Sequence, residues 1–264
     1  MSSTFPSISE PIAILSALAQ EQHGLIGQLQ HPRRVVHAGR DFWLGHLHGW
    51  PVVLALSKIG KVAAATTATA LIERFGIRQI VFTGVAGGLA EAVDVGDVVV
   101  ASHFMQHDLD VSPLFPRYEV PLYGQTCFAG DLALTDLLFN AAAAALEGSR
   151  RAGQAAGVPL PFPTARVHCG LIASGDHFVC GVEASSRLKD SLASAGHAAL
   201  AVEMEGAAVA QVCLDYGVPF AAVRTISDRA DDNAHVDFNG FIEKVASRYA
   251  QEIIGRFFEL LSIK

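Results

Sequence analysis

The chain has 264 residues, 51% of them hydrophobic and 17% charged, with 24 glycines and a formal net charge of −7. Such a composition supplies a large core and many tight turns, which excludes a disordered or fibrous chain. The acidic balance, with no clustered Lys and Arg, excludes a general nucleic-acid surface and points to a small ligand. Cys127, Cys169, Cys180 and Cys213 lie in apolar surroundings without the close pairing of a zinc or redox motif, and read as buried thiols. No basic segment followed by an apolar stretch opens the sequence, and no apolar run approaches the ~18 residues of a membrane span, so the expected setting is cytoplasmic, with no membrane partner.

In chain order, Pro11 to Leu18 is an apolar run that predicts a buried strand, with Ala19, Gln20 and Glu21 opening a helix just past its end. Segments around Val35 to His37, Asp41 to His48 and Pro51 to Ser57, separated by turn signals at Gly39 and Gly49, predict an antiparallel meander. Lys61 to Phe75 has helical composition and a stop signal at Gly76. Arg78 to Thr83 predicts a strand emptying into the glycine-rich loop Gly84 to Gly88, and a strand pair flanks Val95-Gly96-Asp97. His107 to Gly130, with three prolines, is expected to be an irregular functional loop. A long alanine-rich helix follows from Asp131 to about Gly157, then strands at Ala165 to Ser174 and Ala198 to Val202, a helix from Gly206 to Asp215, a strand from Pro219 to Ile226 and a terminal helix from about Asp237 to Leu261. This alternation predicts one α/β domain over residues 1–264, with its core at about 12–262: a mixed central sheet flanked by helices on both faces.

Ligands of such sheets bind beyond the carboxyl ends of the strands. That rule selects Leu18 to Glu21, Gly84 to Gly88, Glu203 to Glu205 and Ser227-Asp228, and three of the four places carry carboxylates. Glu203 and Glu205 interrupt an apolar strand; they either decorate a helix N-terminus or grip vicinal hydroxyls, for which a ribose is the natural owner. Asp228 serves equally as a helix N-cap or as an acid aimed at a ligand, and Glu21 alone reads as a solvated residue. The run Gly84-Val85-Ala86-Gly87-Gly88 fits neither the dinucleotide fingerprint nor the phosphate-binding loop, leaving a tight turn or a close backbone approach to a sugar or base. His107-Asp108-Leu109-Asp110 reads as ordinary polar loop residues, and neither a metal nor a cofactor is expected.

Taken together, SALAQE (16–21), SKIGKVAAA (57–65), FTGVAGGL (82–89), VGDVVVAS (95–102), GLIASGDHFV (170–179), AVEMEGAAVA (201–210) and VRTISDRAD (223–231) resemble the nucleoside phosphorylase and nucleosidase superfamily. The closest likeness is to the 5′-methylthioadenosine/S-adenosylhomocysteine nucleosidases. The resemblance implies that Glu21 activates water and that Asp228 protonates the purine at N7. It puts Glu205 on the ribose hydroxyls with Met204 under the sugar and Arg224 supporting Glu205, and Glu203 is counted with this ribose group. Phe178 would stack on the base, Val179 would meet the base edge through its backbone, and Ser227 would support Asp228. Leu18 and Phe238 would wall the 5′ pocket, and Val85, Ala86 and Gly87 would form the glycine-rich loop at the site. It also implies a homodimer in which the loop near residues 105–120 closes the neighbour's site.

The chemistry is coherent, because breaking an N-glycosidic bond leaves positive charge on the ribose and negative charge on the base. One group must therefore protonate the base while another generates a hydroxide equivalent. An aspartate with a reference pKa of about 3.9 must then be kept protonated near neutrality, so a raised pKa is expected for Asp228. Leu18 stands where the family commonly has methionine and Val85 where it often has serine. The segment Asp110 to Tyr118 also differs from the usual 5′ pocket, and Arg117 there can meet an anionic substituent. Two other readings remain: a phosphorylase, which needs an anion site, and a non-catalytic nucleoside-binding protein on the same fold. A Rossmann dehydrogenase is excluded by SALAQE at the first strand–helix junction.

Overall fold

The structure, a computed structural model, describes residues 10–157, 161–231, 241 and 245–263. Strand β1 (Ile12–Ser16) is buried throughout and leads into helix α1 (Ala19–Gln28). The predicted meander is present as β2 (Gln30–His37), β3 (Arg40–Leu47) and β4 (Trp50–Leu56), paired antiparallel. Helix α2 (Lys61–Phe75) ends where the sequence places its stop: Gly76 takes the left-handed conformation at φ +64°, which a side chain would strain. Strands β5 (Gln79–Gly88), β6 (Val98–Gln106) and the short β7 (Cys127–Ala129) follow. Then come α3 (Leu132–Ala156), β8 (Val167–Ser174), α4 (Val182–Ser194), β9 (Ala199–Glu203), α5 (Gly206–Tyr216), β10 (Phe220–Asp228) and α6 (Ser247–Leu261). The α3 start is fixed by Asp131, whose carboxylate accepts from the Leu134 N–H at 2.9 Å.

All ten strands belong to one mixed sheet. Strands β5, β10, β6, β8 and β9 pair in a closed ring, and β1, β4, β3 and β2 extend from β5 as an arm. β1, β5 and β10 run parallel, so their carboxyl ends lie at one edge. Apolar side chains alternate between the faces. Ala13, Phe82 and Ala222 pack with Ala64, Ala68 and Leu71 of α2 and Val209 of α5. Ile14, Val81 and Val223 face Leu25 of α1, Leu138 of α3 and Ile253 and Phe257 of α6. Burial on both faces is why these strands read as continuous apolar runs; each fully buried Leu, Ile or Phe contributes roughly 1.5–3 kcal/mol relative to exposure.

Several expectations need correction. Val85, Ala86 and Gly87 are not in a loop: β5 runs through them to Gly88, pairing with both β10 and β9. Of the strand pair expected to flank Val95-Gly96-Asp97, only β6 adjoins it, and the segment from Leu89 to Val95 contains turns. α4 is absent from the sequence reading. Cys169 is exposed and Cys127 and Cys180 are half-buried, so only Cys213 is a buried thiol; all four are free. Phe238 and the start expected for the terminal helix lie outside the described residues. Among the described residues, no helix is long and apolar enough to cross a membrane.

Candidate active site

Glu21 occupies the third position of α1, immediately beyond β1, and is buried. Its Oε2 accepts the N–H groups of Ala17 and Leu18, both at 2.8 Å, and its Oε1 accepts that of Val85 at 3.1 Å. Burial raises the carboxyl above the usual glutamate range, against the lowering effect of these donors and of Arg224. Gly84 explains part of the glycine-rich signature: a Cβ there would meet Glu21 Oε1 at 3.1 Å. Gly87 explains more, since a Cβ there would lie 2.9 Å from Asp228 Oδ1. The glycines bring two acids close to a strand rather than turning the chain.

Asp228 closes β10 and is buried. Its Oδ2 accepts the Ser227 hydroxyl at 2.8 Å and its Oδ1 the Ala230 N–H at 2.9 Å. The Ser227 Oγ also lies 3.4 Å from the Ala86 carbonyl.

Glu203 and Glu205 divide their tasks. Glu203 accepts from Arg224 Nη2 at 2.7 Å, from the Ser174 hydroxyl, and from the Gly206 N–H at 2.9 Å, so its carboxylate is engaged within the protein. Arg224 is buried, donates also to the Phe82 and Val223 carbonyls, and lies 4.0 Å over the Phe82 ring. A buried cation is tolerated only with such partners, and losing one typically costs about 3–5 kcal/mol. Glu205 accepts the Gly60 N–H at 2.9 Å. Burial, then the neighbouring Glu203 charge, pushes its carboxyl up to about 8.

That shift has a stability consequence. A group raised from 4.5 to about 8 stabilises the fold fully below the lower value, and the contribution is lost as pH rises through the upper one. Glu205→Gln is neutral at every pH and escapes that loss. Its melting temperature should therefore gain on the wild type by several degrees between pH 5 and pH 9, measured by calorimetry; a constant difference would contradict the assignment.

These groups surround a cavity of about 420 Å³. Among the predicted residues, Leu18, Glu21, Val85, Ala86 and Gly87 line it from β1, α1 and β5. Phe178, Val179, Glu203, Met204 and Glu205 line it from the segments after β8 and β9, and Ser227 and Asp228 from β10. Arg224 stands behind the wall rather than on it. Val179 is buried, and the Phe178 ring is half exposed. Ala17, Ile59, His177 and Val202 also line the cavity and were missed, although all four lie inside quoted motifs. An apolar residue just before the helix-opening Gly60, and a histidine beside the stacking candidate, were the signals available. Arg117 pairs with Asp110 at 3.7 Å and stacks on Tyr118, and is not a lining residue. No arginine or lysine is among the described lining residues, so the anion site a phosphorylase needs is not formed by them.

The family model of the phosphorylase superfamily matches residues 11–259. A 5′-methylthioadenosine/S-adenosylhomocysteine nucleosidase of Shewanella denitrificans is 34% identical over 249 residues, 94% of this chain and 99% of that one. Among solved structures, the 5′-methylthioadenosine/S-adenosylhomocysteine nucleosidase of Neisseria meningitidis in complex with methylthio-immucillin-A superposes with a TM-score of 0.81 at 32% identity, covering 94% of this chain and 98% of that one. Futalosine hydrolase of Helicobacter pylori gives 0.79 at 31%, covering 95% and 98%. With four strand ends delivering acids and an aromatic ring to one chamber, the chain belongs to the phosphorylase superfamily and, within it, to the 5′-methylthioadenosine/S-adenosylhomocysteine nucleosidases, N-glycosyl hydrolases of purine nucleosides.

Proposed function

We propose that this chain hydrolyses the N-glycosidic bond of 5′-methylthioadenosine or S-adenosylhomocysteine, with Asp228 as the acid and Glu21 as the base. The observation that carries this reading is that Glu21, Glu205 and Asp228 open on one chamber whose remaining walls are mostly apolar. Val85 occupies one lone-pair direction of Glu21 Oε1, which leaves another for a water. Asp228 requires a proton before the base departs. The Ser227 hydroxyl serves either state: it donates to the carboxylate, or turns to donate to the Ala86 carbonyl and accepts from the acid. Glu205 and Met204 are assigned to the sugar, with Glu203 and Arg224 holding Glu205's surroundings. Phe178 is assigned to the face of the base and the Val179 backbone to its edge, while Leu18 and the exposed Ile59 are assigned to the 5′ side. Phe238 keeps its 5′-pocket assignment on the resemblance alone. Residues 1–264 are taken as one domain.

Rates on 5′-methylthioadenosine, S-adenosylhomocysteine, futalosine, adenosine, inosine and AMP test the assignment. The expected order puts the thioether nucleosides first and AMP last, because the described lining residues include no arginine or lysine to meet a 5′ phosphate. A preference for AMP or futalosine would overturn the substrate assignment while leaving the chemistry.

We further propose a homodimer. Val62, Leu114 and Leu122 are 80%, 80% and 93% exposed, large apolar side chains that a monomer leaves in water. Light scattering at micromolar concentration is expected to give twice the chain mass; the monomer mass would contradict the proposal.

A further inference from the structure

Beside the cavity lies a polar cluster that none of the assigned roles uses. The Lys61 backbone N–H, the first of α2, donates to Asp176 Oδ1 at 2.7 Å, so a carboxylate from the segment after β8 caps this helix. The Asp176 N–H in turn donates to Asp108 Oδ2 at 2.8 Å, and Lys61 Nζ donates to Asp108 and to Gln106 Oε1. Burial works to raise Asp108, but the Lys61 hydrogen bond and the Asp176 N–H outweigh it and hold this carboxyl below the usual range. Gly175 admits the arrangement: a Cβ there would lie 2.3 Å from His107 Nε2, displacing the residue next to Asp108.

Asp176 has two consequences for the site. Along the chain it immediately precedes His177, Phe178 and Val179, three cavity-lining residues. Through Lys61 it fixes Gly60, whose N–H is the donor to Glu205 and whose Cα lies close enough that a Cβ would meet Asp176 Oδ1 at 3.1 Å. We infer that Asp176, braced by Lys61 and Asp108, is a positioning residue that locks the segment stacking on the base to the loop that orients Glu205 on the ribose. The inference rests on the proposed reading of Glu205 and Phe178. A purely structural role fits poorly: the Asp176 side chain is 49% exposed, and half-exposed ion pairs contribute little to stability.

The test compares 5′-methylthioadenosine with its 2′-deoxy analogue in the wild type, Asp176→Ala and Asp176→Asn. Intrinsic differences in bond lability cancel in the ratio between variants. Asp176→Ala should lower kcat/KM for the ribonucleoside about ten-fold, the size of one lost hydrogen bond. It should shrink the ribo-over-deoxy preference several-fold, because a loosened Glu205 no longer distinguishes the two sugars. Asp176→Asn keeps an acceptor for the Lys61 N–H and should recover most of the loss, with melting temperatures within a few degrees throughout. If Asp176→Ala melts below the assay temperature, Lys61→Met, which removes only the ammonium, carries the same comparison in the same direction. Equal losses on both sugars, or failure of Asp176→Asn to rescue, would overturn the inference. Absence of base release by the wild type would instead defeat the proposed function.

Discussion

Asp228→Asn should lower kcat by roughly 100-fold to 10,000-fold, the range that a positioned proton donor contributes. The substitution is close to isosteric. An asparagine oxygen still accepts the Ala230 N–H that Asp228 Oδ1 now receives at 2.9 Å, and the amide can donate to the Ser227 hydroxyl in place of the contact at 2.8 Å. Fold and KM should therefore change little, while the proton is gone. Purine leaves poorly as an anion, so the step that builds negative charge on the base carries the whole penalty. A ribosyl substrate whose leaving group departs without protonation should lose much less activity. That contrast separates a missing acid from a distorted site, and near-normal turnover of purine nucleosides by the variant would refute the role.

Glu21→Gln should cost as much, for a different reason. Glu21 Oε2 accepts two N–H groups and Oε1 a third, and an amide cannot accept at both ends. Turned to keep Ala17 and Leu18, it points its NH₂ at the Val85 N–H and has no base left for water. The loss of rate, roughly 100-fold to 10,000-fold, should come with a stability cost of about 1–3 kcal/mol from the mismatched donor. The pH profile gives an independent check. A base must be ionised to act, and burial raises this carboxyl, so wild-type kcat/KM should rise with pH along a limb lying above the ordinary glutamate range. Any residual activity of Glu21→Gln should lack that limb. Full activity in the variant would point to another base.

Much of this was legible in the sequence because local signals agreed with the tertiary structure. Asp131 and Gly157 mark the ends of α3, Gly76 ends α2, and the strands buried on both faces appear as unbroken apolar runs. Acids at the ends of such runs drew attention to Glu203, Glu205 and Asp228. The failures are tertiary in origin. Gly84 and Gly87 look like turn residues, yet they sit in a strand because Glu21 and Asp228 press against it. α4 follows Gly181, is rich in polar residues and fully buries only Ser185 and Leu192, so its short stripe of Ala184, Leu188 and Leu192 stands out little in the sequence. Glu203 and Glu205 are equivalent along the chain, and the positions of Arg224 and Ser174 decide which carboxylate is engaged within the protein and which is left to the cavity. Ile59 reaches the site from a loop far away in sequence, a convergence that spacing does not encode.

The most direct test of the central claim is the fate of the anomeric carbon during turnover of 5′-methylthioadenosine in ¹⁸O-water with phosphate present. Hydrolysis assisted by Glu21 predicts adenine release independent of phosphate, with one ¹⁸O at C1 of the free sugar. A sugar 1-phosphate without label, or no release until phosphate is added, would contradict it.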